Sequence, residues 1–368
     1  MWKQVSLLAV AVALAACDDG GPNPVNGIPE DTGTDPGTPT DPTPGGIVIP
    51  DAISFDLDAV RWERNGAGDA DDQLIVTGVT LDDGNIDGVY QRAPDEDVPG
   101  YLAFFKQDDR LDRIFVGLAG ETPDGAVRGF VVQDGGQFQI EYGGIFYERD
   151  GEFTPPDVAT VNGLVSYAGE YAAMTDLGDP EQNLRLDPFG PDGTDEVPDG
   201  AIPRQGRTIT GQVFVNVDFA DNAVNGVIYD RTWSNGEALG DELYILLQDG
   251  EIDANGNFTG DAAQQLAAPA PTEENPNPET PLPRVVGPFA GAFGGVNASG
   301  MAGAFTANDH LREQLPADPE DPDAPPTFGD IPLSTERGIF VIPRCGSDES
   351  PEVCAGLNDI DDIPGISN

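Results

Sequence analysis

Few residues in this 368-residue chain are of the types that carry out covalent chemistry at an active site. The sole histidine, His310, follows Asp309, but no cysteine or serine nearby completes a nucleophile–base–acid arrangement. Ser299 lies in a glycine-rich run whose residue order differs from the strand–turn–helix motif that exposes a nucleophilic serine. We therefore expect no catalytic residues, and we expect that the protein is not an enzyme.

Three acidic segments carry the oxygen ligands that calcium prefers. The segment 253–257 begins like a calcium-binding loop, but the sixth position is not glycine and Gln264 stands where the twelfth position needs glutamate. A hairpin turn is the better interpretation, because Asn255-Gly256 is a strong hairpin signal. The segments 82–85 and 192–196 are interpreted as solvated loops, and weak divalent-ion binding by them stays open. We predict neither a metal site nor a cofactor.

Aromatic side chains on the predicted strands offer a surface on which a ligand could stack. Packing in a hydrophobic core is the favoured interpretation, because large aromatic side chains contribute much of the buried area of a core. The residues concerned are Tyr101, Tyr142, Tyr147, Tyr167 and Tyr171. The sequence alone therefore assigns no ligand-binding residue.

The first seventeen residues have the pattern of an export signal. Lys3 precedes an apolar run over 5–13 that is too short to cross a bilayer as a helix. The run ends at 14–17 in Leu-Ala-Ala-Cys, which resembles the lipobox of bacterial lipoproteins. That resemblance implies cleavage before Cys17, lipidation of its thiol and acylation of the new N-terminus. An ordinary secretory signal with a chance cysteine is the alternative.

The two remaining cysteines, Cys345 and Cys354, lie close together near the C-terminus. In an exported protein such a pair indicates a disulfide. A metal-binding pair is the alternative, but no further cysteine or histidine lies nearby to complete a tetrahedral site. The disulfide is expected to close a small loop, which is a structural role.

The charge of the chain excludes two classes of partner. There are 66 acidic and 17 basic residues, for a formal net charge of −49. Binding to nucleic acid depends on lysine and arginine that neutralise phosphates, so we predict no nucleic-acid partner. A polybasic association with anionic lipid is excluded for the same reason. The 47 glycines and 34 prolines argue against a mainly helical protein, because both residues destabilise helices.

Composition divides the rest of the chain into four parts. Residues 18–50 are mostly Asp, Gly, Pro and Thr, and we predict a disordered tether. Residues 51–156 and 157–308 contain short alternating apolar runs separated by Gly, Asp and Asn, as is typical of antiparallel strands. Two prolines at 155–156 mark the boundary between these parts. Residues 309–368 are predicted to be a C-terminal tail.

Individual runs predict individual strands. In the first part, strands are expected at 53–57, 74–81 and 138–142, among others. In the second part, one strand is expected over 208–219. Its alternate apolar residues should share one face: Val213, Val215, Val217 and Phe219.

The run 291–305 resembles a late-barrel signature of the transferrin-binding protein B family of bacterial surface lipoproteins. The matching residues are Gly291, Phe293, Gly295, Ala298, Gly303 and Phe305. Gly294, Val296 and Gly300 stand where the family has an aromatic residue, a proline and a glutamate. The resemblance implies an all-β protein, with an antiparallel handle-like sheet over 51–156 followed by a small eight-stranded barrel over 157–308. Such a barrel is filled by its own side chains.

The lipobox and the resemblance together imply a lipid-anchored protein of the cell envelope. We expect it at the outer membrane, displayed on the surface, where it binds a protein or an iron- or haem-containing solute and contacts the bilayer through the lipid on Cys17. The inner membrane facing the periplasm is the alternative location, because Asp18 directly follows Cys17. A structural or adhesive acidic lipoprotein without a small ligand is the second functional hypothesis. A hydrolase that depends on His310 is the third and weakest.

Overall fold

The computed structural model describes an all-β protein, as the sequence predicted. The described residues are 46–65, 69–79, 88–137, 140–158, 163–178, 185–188, 197–237, 239, 242–266, 282–308, 335–346 and 354. Their strands form a seven-stranded antiparallel sheet and a closed eight-stranded antiparallel barrel. Among the described residues, no helix is long and apolar enough to cross a membrane.

The seven-stranded sheet, here named the handle sheet, is a meander in which each strand pairs with the next in the chain. Its strands are β1 (Ala59–Glu63), β2 (Gln73–Thr77), β3 (Gly88–Arg92), β4 (Leu102–Lys106), β5 (Phe115–Glu121), β6 (Val127–Asp134) and β7 (Gly143–Arg149). The sheet curls, so that Trp62 on β1 meets the rings of Phe104 and Phe130 edge-on at 6.2 and 6.3 Å. The curl encloses a small aromatic core on the face turned away from the barrel.

Two strand predictions in this part were wrong. The segment predicted as a strand over 53–57 instead contains a one-turn helix, α1 (Asp51–Ser54), followed by Phe55 at a φ of 52°. It leaves the strand geometry because it crosses from one part of the handle sheet to another: the Asp56 N–H donates to Gly143 and the Asp58 N–H donates to Thr77. A strand was also expected over 138–142, but β7 begins only after this segment, at Gly143.

The barrel closes when its last strand pairs with its first. Its strands are β8 (Leu164–Gly178), β9 (Gly206–Asp218), β10 (Ala223–Trp233), β11 (Glu242–Ile252), β12 (Asn257–Leu266), β13 (Arg284–Gly294), β14 (Gly300–Asn308) and β15 (Thr335–Pro343). Strand β15 lies in the segment 309–368 that was predicted to be a tail, so the barrel does not end at residue 308. The strand completes the hydrogen bonding of both β14 and β8, and a barrel without it would leave two open edges.

The barrel interior is filled because phenylalanine side chains lie against glycines on neighbouring strands. Phe293 and Phe305 point inward and are fully buried. A Cβ atom on Gly291 would lie 2.2 Å from the Phe258 ring, and one on Gly303 would lie 2.2 Å from the Phe340 ring. Gly291 and Gly303 therefore leave the space into which these rings fit.

The outer face of the same strands is lined by small residues and packs against the handle sheet. Its alanines are Ala290, Ala292, Ala302 and Ala304. They form one buried cluster with apolar residues of β5, β6 and β7, such as Val116, Val131 and Ile145. Small side chains let the two sheets approach closely, so the handle and the barrel share a continuous core.

Two departures from the family signature are explained by this contact. A Cβ on Gly294 would lie 2.4 Å from Val127 Cγ1. A Cβ on Gly300 would lie 2.7 Å from Thr122 Cγ2. The aromatic residue and the glutamate of the family pattern do not fit here, because the β5–β6 turn of the handle sheet occupies that space. The structure gives no reason for Val296, whose side chain is 76% exposed.

Cys345 and Cys354 form a disulfide directly after β15. Both sulfur-bearing side chains pack against a cluster on the outer face of the barrel that contains Ala168, Phe214 and Val227. The Cys345 N–H also donates to the Ser166 carbonyl at 2.8 Å. The bridge therefore ties the chain to the outer wall of the barrel.

Candidate functional site

The two ends of the barrel differ in the length of their connections. At one end, here named the short-turn end, the strands are joined by turns at 219–222, 253–256 and 295–299. At the other, the long-connection end, they are joined by the segments 179–205, 234–241, 267–283 and 309–334. Sites for recognition are commonly carried by loops on a rigid scaffold, so the long-connection end is the candidate functional site.

The sequence of these four long segments is strongly acidic. Together they contain 19 Asp and Glu residues and three Arg or Lys residues. About a third of the net negative charge of the chain therefore belongs to the connections at one end of the barrel. Such a charge attracts a positively charged partner and repels an acidic one.

The chain enters the folded part at the opposite, short-turn end. Asn257, the first residue of β12, donates from its amide Nδ2 to the Gly46 carbonyl at 3.3 Å. Tyr147 OH donates to the Val48 carbonyl at 3.3 Å. Residues 46–50, which were predicted to belong to the disordered tether, are thus fixed at the short-turn end.

The described rim of the long-connection end is built around Trp233. The Arg207 guanidinium lies 3.7 Å from the centre of the indole ring, which is a cation–π contact, and pairs with Glu237 at 3.4 Å. The backbone N–H of Trp233 donates to the backbone carbonyl of Glu237 at 2.9 Å. The inner side of the indole packs on the barrel core, so Trp233 caps the interior. This rim presents a cation, an aromatic ring and a carboxylate.

Below the rim, the barrel contains a buried ion pair. Arg231 donates to Glu336, and the Tyr171 hydroxyl donates to the same carboxylate at 2.5 Å. The side chains of Arg231 and Glu336 are 2% and 0% exposed. Burial, followed by the negative charge of Glu336, raises the pKa of Tyr171 well above its ordinary value. The tyrosine therefore stays protonated and serves as a fixed donor.

Two open depressions lie at the short-turn end. The larger, about 670 Å³, is lined by Arg149, Phe153 and Asn255, among others. Arg149 NH1 donates to the carbonyls of Asn255 and Phe293, at 2.9 and 2.7 Å. The smaller, about 370 Å³, adjoins the disulfide at Cys345. Both are shallow and open to solvent.

The calcium-like segment 253–257 is a hairpin turn, as the sequence predicted. The Asp253 carboxylate accepts from the N–H groups of Asn255 and Asn257, both at 2.8 Å, and from Asn257 Nδ2 at 2.9 Å. Gly256 supplies the φ of 77° that the turn needs. The carboxylate is thus occupied by the turn itself. Within the described residues, no group of three or more His, Cys, Asp or Glu side chains could hold a metal ion.

The structure places the other predicted candidates in structural roles or does not describe them. Ser299 Oγ donates to Asp124 at 2.5 Å and joins the barrel to the handle sheet. Four of the five tyrosines are buried in the cores: Tyr101, Tyr147, Tyr167 and Tyr171. Tyr142 is half-buried, with the Arg113 guanidinium 4.9 Å from its ring. Cys17, His310 and the segments 82–85 and 192–196 lie outside the described residues.

Sequence reasoning missed the rim and the buried ion pair. Arg231 and Glu336 are 105 positions apart, and Glu336 belongs to the strand that was predicted as part of a tail. One signal was present in the sequence. Arg231 and Trp233 follow the alternating run 223–229 and therefore continue the same strand toward the long-connection end.

Comparison with known proteins gives a likeness of fold. No family profile and no curated protein matches the sequence. Among solved structures, intact Ap-TbpB with its N and C lobes matches with a TM-score of 0.32 and 12% identity, over 67% of this chain and 39% of the other. Two variants of the vaccine antigen transferrin-binding protein B from Haemophilus parasuis Hp5 match with a TM-score of 0.33 and 13% and 15% identity, over 70% and 69% of this chain. The chain spans about two fifths of the length of these structures, 39% in each case.

Proposed function

We propose that this chain is a lipid-anchored protein of the cell envelope that binds a protein partner at the long-connection end of its barrel. The observation that carries the proposal is the polarity of the fold. The chain enters at Gly46 on the short-turn end, and all four long connections leave from the other end. A tether to a lipid on Cys17 would join the fold at the short-turn end, which is the end of the barrel opposite the long connections.

A protein partner is favoured over a small solute because the barrel is full. Fully buried rings such as Tyr171, Phe289 and Phe293 occupy its interior, and Trp233 caps it at the rim. Small-molecule sites are usually concave and largely apolar. The described rim instead offers a cation, an aromatic ring and a carboxylate. We therefore expect a partner with a basic surface, and no catalysis.

The anchor is tested by replacing Cys17 with alanine. In the unmodified chain we expect labelling by a radioactive fatty acid, recovery in the outer-membrane fraction and digestion by protease added to intact cells. Cys17→Ala should abolish the labelling and the membrane recovery. Labelling that persists in the variant would refute lipidation at this residue. Protection of the unmodified chain in intact cells, together with recovery in the inner membrane, would refute surface display and favour the alternative location.

Binding is tested by capture of partners from the growth medium and envelope on the immobilised mature chain, followed by affinity measurement with each purified partner. Reversing one exposed rim charge, Glu237→Lys, should weaken binding at least tenfold, because it places a cation opposite a basic partner. The matched control is Glu251→Lys, the same change on an exposed glutamate near the short-turn end, which should alter affinity less than twofold.

Three outcomes of the binding test would contradict the proposal. Equal effects of the two substitutions would refute the assignment of the long-connection end. A rise in melting temperature with haem or an iron salt and no captured protein would favour a solute-binding protein. Failure to capture anything, with no thermal shift, would favour the structural or adhesive lipoprotein.

A further inference from the structure

Two carboxylic acids meet where the handle sheet contacts the barrel near its long-connection end. Glu141 precedes β7 of the handle sheet, and Asp176 lies near the end of β8 of the barrel. Both contact Thr335, the first residue of β15: the Thr335 N–H donates to Asp176 at 2.8 Å, and the Thr335 hydroxyl donates to Glu141 at 3.2 Å. The two carboxyl groups, one from each sheet, therefore contact the same residue.

We propose that Glu141 and Asp176 share one proton and that this proton fastens the handle sheet to the barrel. A hydrogen bond between two carboxyl groups requires that one of them be protonated. When the proton is present, the pair is an attractive contact across the interface. When it is lost, two negative charges face each other in a partly buried site. This fastening is a property of the fold and holds whether or not the protein binds a partner.

The surrounding charges favour retention of the proton. Within the described residues, Asp56 and Asp176 each lie near the charges of Glu141 and of one cation, Arg337. The Arg337 side chain is 0% exposed and lies 3.6 Å from Glu141, and it also donates to Gln133 of β6. Two further groups in the site are not titratable: Gln133 donates to Glu141 at 3.3 Å, and the Phe55 ring lies 4.5 Å from the guanidinium. One guanidinium does not balance three carboxylates.

The pH range of the effect follows from Asp176. Burial, and then the charge and hydrogen bond of Glu141, raise the pKa of Asp176 from 3.8 to about 7, against the opposing effects of Thr335 and Arg337. The folded protein therefore keeps a proton that the unfolded chain has already released, between about pH 4 and 7. Stability from this site must fall as pH rises through that range and then level off.

The location links the fastening to the candidate functional site. Asp176 lies two residues before the end of β8, from which the segment 179–205 leaves. Thr335 begins β15, at which the segment 309–334 ends. Loss of the proton therefore weakens the contacts that hold the bases of two of the four long connections.

The test compares Asp176→Asn with the unmodified full chain at pH 5 and pH 8. The asparagine amide donates to Glu141 as the protonated acid does, and its oxygen still accepts from Thr335, but it does not titrate. The quantity to compare is the melting temperature of the variant minus that of the unmodified chain. We expect this difference to be larger at pH 8 than at pH 5 by at least about 3 °C. Glu141→Gln should act in the same direction, and it provides a second variant if the first does not fold.

The matched control is Asp261→Asn, which removes one exposed carboxylate on the outer face of β12. It corrects for the general effect of reducing the negative charge of the chain. Its change in melting temperature, relative to the unmodified chain, should differ between pH 8 and pH 5 by less than about 1 °C. A carboxyl ¹³C titration of the unmodified chain should show one signal that titrates far above the ordinary carboxylate range and disappears in Asp176→Asn. Equal melting shifts at both pH values, or the absence of such a signal, would refute the shared proton.

Discussion

Replacing Phe293 with alanine is expected to lower the free energy of unfolding by about 3–5 kcal/mol, among the largest effects of any single substitution in the chain. Phe293 is fully buried in the barrel. Its ring centre lies 5.1 Å from those of Phe219 and Phe258 and 5.6 Å from that of Tyr167. These three rings come from different parts of the barrel, so no small movement of one strand can fill the cavity. Urea titration of the mature chain, followed by tryptophan fluorescence, measures the effect.

The matched control lies three residues away in the same run. Val296 is 76% exposed in the β13–β14 turn, and Val296→Ala should change the free energy of unfolding by no more than about 0.5 kcal/mol. A cost below about 1 kcal/mol for Phe293→Ala would mean that the barrel interior is not packed at this position. A large cost for Val296→Ala would show instead that the turn carries the stability of this region.

The interior of the barrel was predictable from the sequence because strand alternation has a period of two. Val213, Val215, Val217 and Phe219 were predicted to share a face, and all four lie in the barrel core. The same rule explains the run 291–305, in which inward glycines and phenylalanines alternate with outward alanines. A pattern of this kind is local, so it can be read without knowledge of the partner strands.

The contact between the handle sheet and the barrel was not predictable in the same way. The sequence does not show whether the alanines at positions 290, 292, 302 and 304 are exposed or buried. Their side chains are neither polar, which would indicate exposure, nor large, which would indicate burial. Only the handle sheet, more than a hundred residues earlier in the chain, shows why small residues are needed there. The same holds for Gly294 and Gly300, whose neighbours are Val127 and Thr122.

Strand β15 was missed because the segment before it has the composition of a disordered tail. Residues 309–334 contain six prolines and seven acidic residues, which is typical of a chain that does not return to a folded domain. The entropic cost of closing a long connection rises only slowly with its length, so the chain can return after many polar residues. The polar sites share this difficulty, because Glu336, Arg337 and Thr335 all lie on that strand.

Replacing Arg231 with methionine is the second substitution for which we expect a large loss, about 3–5 kcal/mol of unfolding free energy. The change leaves the Glu336 carboxylate in the barrel interior, where its side chain is 0% exposed, with Tyr171 as a remaining donor. A buried carboxylate that loses its cation keeps the full cost of desolvation. The measurement is again urea titration at neutral pH. The control is Arg61→Met, in which the lost partner, Glu63, is 40% exposed and the expected cost is below about 1 kcal/mol.

A double variant separates the attraction between the two charges from the cost of leaving one of them alone. Arg231→Met combined with Glu336→Gln removes both charges and keeps a side-chain oxygen that can accept from Tyr171. We expect the double variant to be more stable than Arg231→Met alone by at least about 2 kcal/mol, because no uncompensated charge remains in the core. If the double variant is less stable than the single one, Glu336 stabilises the barrel through contacts other than its pairing with Arg231. In the expected case, a large part of the loss in Arg231→Met comes from the buried carboxylate that has lost its cation, and not from the attraction between the two charges.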